Sequence, residues 1–250
     1  MAQNQCIFEY SNFGNGYLRI YFLTESKRVD KEIMIDLEKY PIIEGVVADI
    51  DPLVDKIKHE LNRAHIKAIQ NPLLLLRCVE TYKSTLFLPI KNYFQAQYHY
   101  KKEVKLKHDK ENFIALNNSY KNGVGYIFNT YYIPISVIES FNKIEKALNT
   151  EFVGVQPLGM FLADFLDFKG NFVCFHIRKK SCTMIVVFDN DLITSYDFEI
   201  ESDKDILNRF LLVATKHEFE VERKQIGYYH IDSDEPYEID LGVKRFGRIY

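Results

Sequence analysis

Residues 42–90 read IIEGVVADIDPLVDKIKHELNRAHIKAIQNPLLLLRCVETYKSTLFLPI, and the order of patterns in this stretch decides the fold class. A short apolar run at 45–48 predicts a strand. Asp51-Pro52 then marks a helix start, because a carboxylate can cap free N–H groups and proline is tolerated in the first turn. Leu53, Ile57, Leu61 and His65, with Val54 alongside, share one face of that helix at 3.6-residue spacing. Residues 73–79 and 84–88 predict two buried strands, and Leu88-Pro89 closes the segment. Strand, helix and strand in this order belong to a mixed α/β architecture.

The same alternation of periods runs outward in both directions. Residues 6–9, 17–24 and 31–37 predict three successive strands, the first two joined by Ser11-Asn12-Phe13-Gly14-Asn15-Gly16, which has the Asn-Gly chemistry of a tight hairpin. Downstream, 92–102 predicts a helix, 113–117 and 124–130 strands, and 136–149 a helix with Ile138, Phe141, Ile144, Ala147 and Leu148 on one side. A strand at 152–155 and a short helix at 160–165 follow. Three more strands, at 172–177, 183–188 and 193–198, precede a helix at 203–218 and a strand at 226–231. The tail from Asp232 has weak periodicity and is expected to pack as an extended arm or to fray.

Composition describes a globular chain: 250 residues, 47% hydrophobic, 27% charged, formal charge −3. No global excess of positive charge draws it to nucleic acid or lipid. The four cysteines, Cys6, Cys78, Cys174 and Cys182, lack C-x-x-C spacing, and three sit in apolar runs, so reduced core thiols are expected. The opening MAQNQCIFEYSNFGNG has no basic start with an apolar run, so no signal peptide is expected. No window approaches the roughly 18 apolar residues of a membrane span. The protein is therefore expected to be soluble and cytosolic. Residues 101–110, KKEVKLKHDK, concentrate positive charge between predicted elements. They read as a solvated linker, with contact to an acidic partner or phosphate groups as the functional alternative.

Two stretches thus each open with three antiparallel strands and proceed to a helix, as in a duplicated fold. Glu44-Gly45 at a strand entry, the helix after Asp51, the strand at 73–79 and Leu88-Pro89 together resemble the PilM branch of the actin-like fold. Residues 113–162, including Phe152-Val153-Gly154-Val155, resemble that family's route into its second half. A related actin-fold family of unknown function from Bacteroidetes is the second choice. The resemblance covers roughly residues 5–230 and implies an α/β protein of two ribonuclease-H-like halves. It assigns residues 1–40 with 111–168 to the first half, 41–110 to an inserted subdomain, and 169–250 to a reduced second half with a C-terminal arm.

The resemblance also shows where chemistry is missing. ATP-binding members carry an acidic residue and glycines at the first hairpin, so that N–H groups approach the phosphates. Here Ser11, Asn12 and Gly14 occupy it, with Tyr10 and Phe13 to crowd a nucleotide. The second hairpin would need Asp-x-Gly with Thr or Ser, and reads His176-Ile177-Arg178-Lys179-Lys180-Ser181. It offers no carboxylate for magnesium. His176, Arg178 and Ser181 are therefore degenerate phosphate-loop positions, with anion binding through the cations as the minor reading. The subdomain that closes over adenosine is also expected to be absent, and Gly227-Tyr228-Tyr229 is the nearest approach to a Gly-Gly adenosine contact.

No other constellation replaces that chemistry. His59 and His65 are six apart on one predicted helix and point to different faces, which does not suit a shared metal. Asp189 and Asp191 belong to a turn, without the glycine and distal glutamate of a calcium loop. For nuclease chemistry on the first strand, only Glu9 qualifies. The expectation is therefore no catalytic residue, no metal and no cofactor.

What remains is surface. The chain has 17 Tyr and 19 Phe, and the stretches 93–100 and 131–134 are more aromatic than a helix or strand needs for one buried face; they read as ordinary core and rim, with a protein interface, where aromatics are favoured, as the functional alternative. The resemblance implies a short cytoplasmic peptide from a single-span inner-membrane partner, docked beside the insert with Tyr82, Phe87, Tyr93 and Phe94 as anchors. The expected role is a non-catalytic scaffold of a type IV pilus, competence or type II secretion machine, at the inner face of the inner membrane. It carries no nucleic acid and no membrane-inserted segment, with a homodimer as an option. The alternatives are a nucleotide-binding actin-like regulator and, more weakly, a non-catalytic nucleic-acid-binding ribonuclease-H relative.

Overall fold

The structure, a computed structural model, describes residues 5–25, 29–43, 45–77, 82–107, 112–165, 172–178, 181–188, 191–202, 205–206, 208–209, 212, 226–230 and 244–247. The chain divides into two units, Met1–Pro157 and Leu158–Tyr250. The first holds β1 (Gln5–Ser11), β2 (Tyr17–Leu23), β3 (Val29–Asp36), β4 (Ile42–Ile43), β5 (Val46–Val47), α1 (Ile50–Arg63), β6 (Leu73–Arg77), β7 (Tyr82–Leu88), α2 (Tyr93–Lys107), β8 (Phe113–Asn122), β9 (Gly125–Pro134), α3 (Ile135–Leu148) and β10 (Gly154–Pro157). The second holds α4 (Leu158–Phe165), β11 (Phe172–Arg178), β12 (Ser181–Phe188), β13 (Asp191–Glu199), β14 (Ile226–His230) and β15 (Lys244–Gly247).

Both main sheets have the same plan. In the first the order is β10-β6-β1-β2-β3, with β2 and β3 antiparallel on one side of β1 and β6 and β10 parallel on the other. In the second the order is β13-β12-β11-β14-β15, again antiparallel on one side and parallel on the other. The duplication expected from the two strand triplets is therefore present. Part of the tail expected to be an arm is β15, hydrogen-bonded to β14. Most of the helix expected at 203–218, together with Glu44, Cys78 and Asp189-Asn190, lies outside the described residues.

Leu73–Leu76 forms a strand buried between β1 and β10, as a continuous apolar run should. Over one face of this sheet lie α1, through Leu53, Val54, Ile57 and Leu61, and α3, through Val137, Phe141 and Ile144. Each such side chain stabilises the fold by roughly 1.5–3 kcal/mol, as an upper estimate. The helix cap is Asp49, whose side chain accepts from the Asp51 N–H, so the expected cap at Asp51 moves back two residues. His65 is not on the inner face: it follows the helix at φ 57° and is exposed. Ala147, expected inside α3, is also exposed, while Val137 is buried in its place. Asn149 ends that helix in the left-handed conformation, its N–H returning to Glu145 O and Lys146 O.

The third sheet, β7-β9-β8, is a separate layer. Its α2 face packs Ala96 and Tyr100 on Phe128, with Tyr100 stacked on Phe128 at 4.5 Å and its hydroxyl 2.7 Å from Thr130 Oγ1. This layer redraws the expected boundaries. β6 and α1, expected in the insert, build the main sheet and its cover, whereas β8 and β9, expected in the first half, pair with β7. β7 is also not the buried strand expected, because Ser84, Thr85 and Phe87 are exposed. The described part of the basic run is no linker either: Lys101–Lys107 continues α2, and 108–110 lie outside the described residues. Among the described residues no helix is long and apolar enough to cross a membrane.

Candidate functional site

The first hairpin turns on short-range hydrogen bonds. Ser11 Oγ accepts from the Phe13 N–H at 3.3 Å, Gly16 N–H donates to Phe13 O at 3.0 Å, and Gly16 O accepts from the Leu37 N–H at 3.2 Å. Gly14 and Gly16 have φ of 59° and 71°, which the turn itself requires. A Cβ on Gly16 would come 2.9 Å from Ile42 Cδ1, so this glycine faces its own fold. Ser11 and Asn12 are buried, and the Asn12 N–H donates to Arg77 O at 3.3 Å. Of the three expected loop positions only Gly14 is exposed, with open space beside its Cα.

Behind the turn lies a buried polar row that sequence reading found only in part. β1 and β2 pair Glu9 with Arg19, so Tyr17 and Tyr21, two residues to either side, share the face of Glu9. The Glu9 carboxylate accepts from Tyr17 Oη at 2.5 Å on one oxygen and from Tyr21 Oη on the other. Arg19 pairs with Glu32 on β3, its guanidinium 4.6 Å from the Tyr21 ring centre. Arg77, the fully buried last residue of β6, holds its guanidinium 5.2 Å from the Phe13 ring centre. Phe13 thus lies on a cation rather than merely crowding the turn. Only the charged end of the Leu73–Arg77 run hinted at this role.

In the second unit β11 ends at Arg178 and β12 begins at Ser181, leaving a two-residue connection. So short a link has few N–H groups with which to cradle a phosphate. His176, expected as a degenerate phosphate-loop position, lies within the expected strand and is fully buried inside β11 between Thr183 of β12 and Tyr229 of β14. Thr183 Oγ1 donates to Asp197 Oδ1 at 2.5 Å. α4 closes onto this face through Gly159, where a Cβ would come 2.3 Å from Ser195 Cβ. Ser181 is buried, and the Arg178 side chain and Lys179-Lys180 lie outside the described residues.

Burial sets the state of the ionisable groups in the described cores. Burial pushes the Cys6 thiol up to about 12, and raises Cys174 well above its ordinary range, with Cys182 adding to the rise. Burial also raises the Tyr100 phenol, against the opposing hydrogen bond to Thr130. Cys6 and Cys174 are free thiols, and Cys6, Cys174 and Cys182 are all buried. Among the described residues no three His, Cys, Asp or Glu side chains are grouped to hold a metal ion. A polar groove of about 680 Å³ lies where α3 ends, lined by Gln70, Asn71, Glu145, Asn149, Thr150 and Glu151.

The four expected partner anchors do not share one surface. Phe87 is exposed, but it alternates with Leu86 and Leu88, which pack toward α2, so it stands on the opposite face of β7. Tyr93 and Phe94 are exposed on α2, their rings 5.9 Å apart, with Tyr93 also 5.3 Å from Tyr126. Tyr82 pairs with Tyr132 through its backbone, and its side chain lies outside the described residues.

No protein-family model matches the chain, and no curated protein matches it in sequence. Solved structures do. A chain of the PilM–PilN type IV pilus biogenesis complex superposes with a TM-score of 0.59 at 12% identity, covering 87% of this chain and 66% of that one. The cytoplasmic domain of EpsL, an inner-membrane component of the type II secretion system of Vibrio cholerae, superposes with a TM-score of 0.54 at 8% identity, covering 91% and 82%. A Bacteroides thetaiotaomicron protein of actin-like ATPase fold and unknown function follows at 14% identity over 93% and 84%, but its TM-score of 0.47 carries no weight. The fold is the actin-like ATPase fold, with one inserted sheet.

Proposed function

We propose that this chain is a non-catalytic scaffold on the cytoplasmic side of a type IV pilus, competence or type II secretion machine, binding a short cytoplasmic peptide of a single-span inner-membrane partner. The state of the first hairpin carries the reading. Both Glu9 oxygens accept tyrosine hydroxyls, Ser11 and Asn12 are buried, and Phe13 stacks on Arg77. A triphosphate needs open N–H groups and a carboxylate able to orient magnesium or water; the Asn12, Phe13 and Gly16 N–H groups donating within the fold and both Glu9 oxygens accepting tyrosine hydroxyls support the non-catalytic reading. Likeness in fold to proteins named for a pilus complex and a secretion system supports the choice of machine. β7 is an edge strand with Phe87 exposed, which suits an extended peptide added as a further strand.

Calorimetric titration with ATP and magnesium tests the absence of nucleotide binding, and no saturable heat is expected. Saturable binding would replace the scaffold with a nucleotide-binding regulator, the reading that the outward-facing Gly14 favours. Photo-crosslinking in cells from position 87 tests the partner: a single-span membrane protein is expected, and its absence from the products refutes the peptide seat.

A further inference from the structure

We infer that the outer face of α2 rests on the surface of an anionic lipid bilayer. A lysine run in a linker would have no apolar neighbour; as part of α2 it shares a helix with Tyr93, Phe94 and Tyr98. Ala96 and Tyr100 face inward, which turns Phe94, Tyr98, Lys101 and Lys102, at spacings of four, seven and eight, to the opposite side. Phe94 is 78% exposed and Tyr98 68%, so these rings stand proud of the surface rather than in a groove. Lys101 and Lys102, just along the same face, are exposed.

Charge selects the occupant. Residues 82–134 contain eight lysines and three acidic residues, net +5, in a chain of net −3, so the rest of the chain carries −8. Residues 82–102 and 112–134 contain no Asp or Glu at all. A basic stretch whose α2 face carries Lys101, Lys102, Phe94 and Tyr98, in an otherwise acidic chain, complements a negative surface. Projecting aromatic rings beside lysines match the headgroup layer, where rings sit at the boundary and ammonium groups reach phosphates. A groove-bound peptide would instead require a concavity around Phe94 and Tyr98. The contact is peripheral and goes beyond the scaffold reading, without depending on it.

Flotation of the full chain with vesicles of phosphatidylcholine plus phosphatidylglycerol, against phosphatidylcholine alone, tests the inference. Binding to the anionic vesicles only is expected, and it should weaken as salt shortens the Debye length from about 10 Å at 0.1 M to about 3 Å at 1 M. The Lys101→Ala/Lys102→Ala variant should partition roughly 30-fold more weakly, taking about a factor of five to six per lysine. Phe94→Ser/Tyr98→Ser should lose binding with unchanged circular dichroism and unfolding temperature, because both side chains are exposed. Equal binding to neutral vesicles, no vesicle binding, or variants that bind as well as the parent would each overturn the assignment. Retention on immobilised poly(Glu,Tyr) without vesicle binding would overturn it in favour of an acidic protein partner.

Discussion

Tyr21→Phe removes one hydroxyl and nothing else from the row behind the first hairpin. Glu9 and Tyr21 are both fully buried, so water does not replace the lost donor. A hydrogen bond to a charged group contributes about 1.5–3 kcal/mol, and stranding a buried acceptor places the cost in the upper part of that range. At about 2–4 °C per kcal/mol for a chain of this size, the unfolding temperature should fall by roughly 4–12 °C. Tyr17→Phe, at a position 7% exposed, should cost less, since solvent can reach the freed oxygen. The double variant should lose more than the sum, because the carboxylate then keeps neither hydroxyl. Scanning calorimetry with and without magnesium is the assay. A Tyr21→Phe shift below about 1 °C, or marked stabilisation of the parent protein by magnesium, would refute the view that Glu9 is a structural acceptor rather than a ligand for a catalytic ion.

Asp49→Ala should destabilise the protein by about 0.5–2 kcal/mol in urea unfolding while Asp51→Ala does not, since Asp49 makes the cap hydrogen bond to the Asp51 N–H. Gly159→Ala should lift α4 from β13, seen as faster amide exchange in Leu158–Phe165, and Ser195→Gly should relieve it because the clash is with Ser195 Cβ at 2.3 Å. Cys6 is an acid whose folded value, about 12, lies above its ordinary 9.0, so the fold favours the protonated thiol. Its contribution is whole below pH 9.0 and is lost as pH rises toward 12. Unfolding midpoints measured across that window should fall less steeply for Cys6→Ala than for the parent, and equal slopes would refute the assignment.

Patterns carried by neighbouring residues are legible in the sequence alone. The alternation at the end of β3, the four-leucine run of β6, the Leu53-Ile57-Leu61 spacing of α1 and the Asn-Gly hairpin all depend on contacts within a few residues, and sequence shows those directly. So does the doubling of the strand triplet, because antiparallel hairpins pair sequential strands. Which sheet a strand joins is different in kind. β6 and β7 are separated by only four residues, yet one enters beside β1 and the other pairs with β9, a choice made by partners far along the chain. Strand facing and register, rather than distance along the chain, hid the opposition of Phe87 to the α2 aromatics and the meeting of Glu9 with Tyr17 and Tyr21. They also hid Arg77 beneath Phe13. Local chemistry wrote the elements of this protein, while register and pairing over long separations decided which of its charged and aromatic groups are buried and which face outward, because hydrogen-bonded strands bring together residues that no spacing in the chain relates.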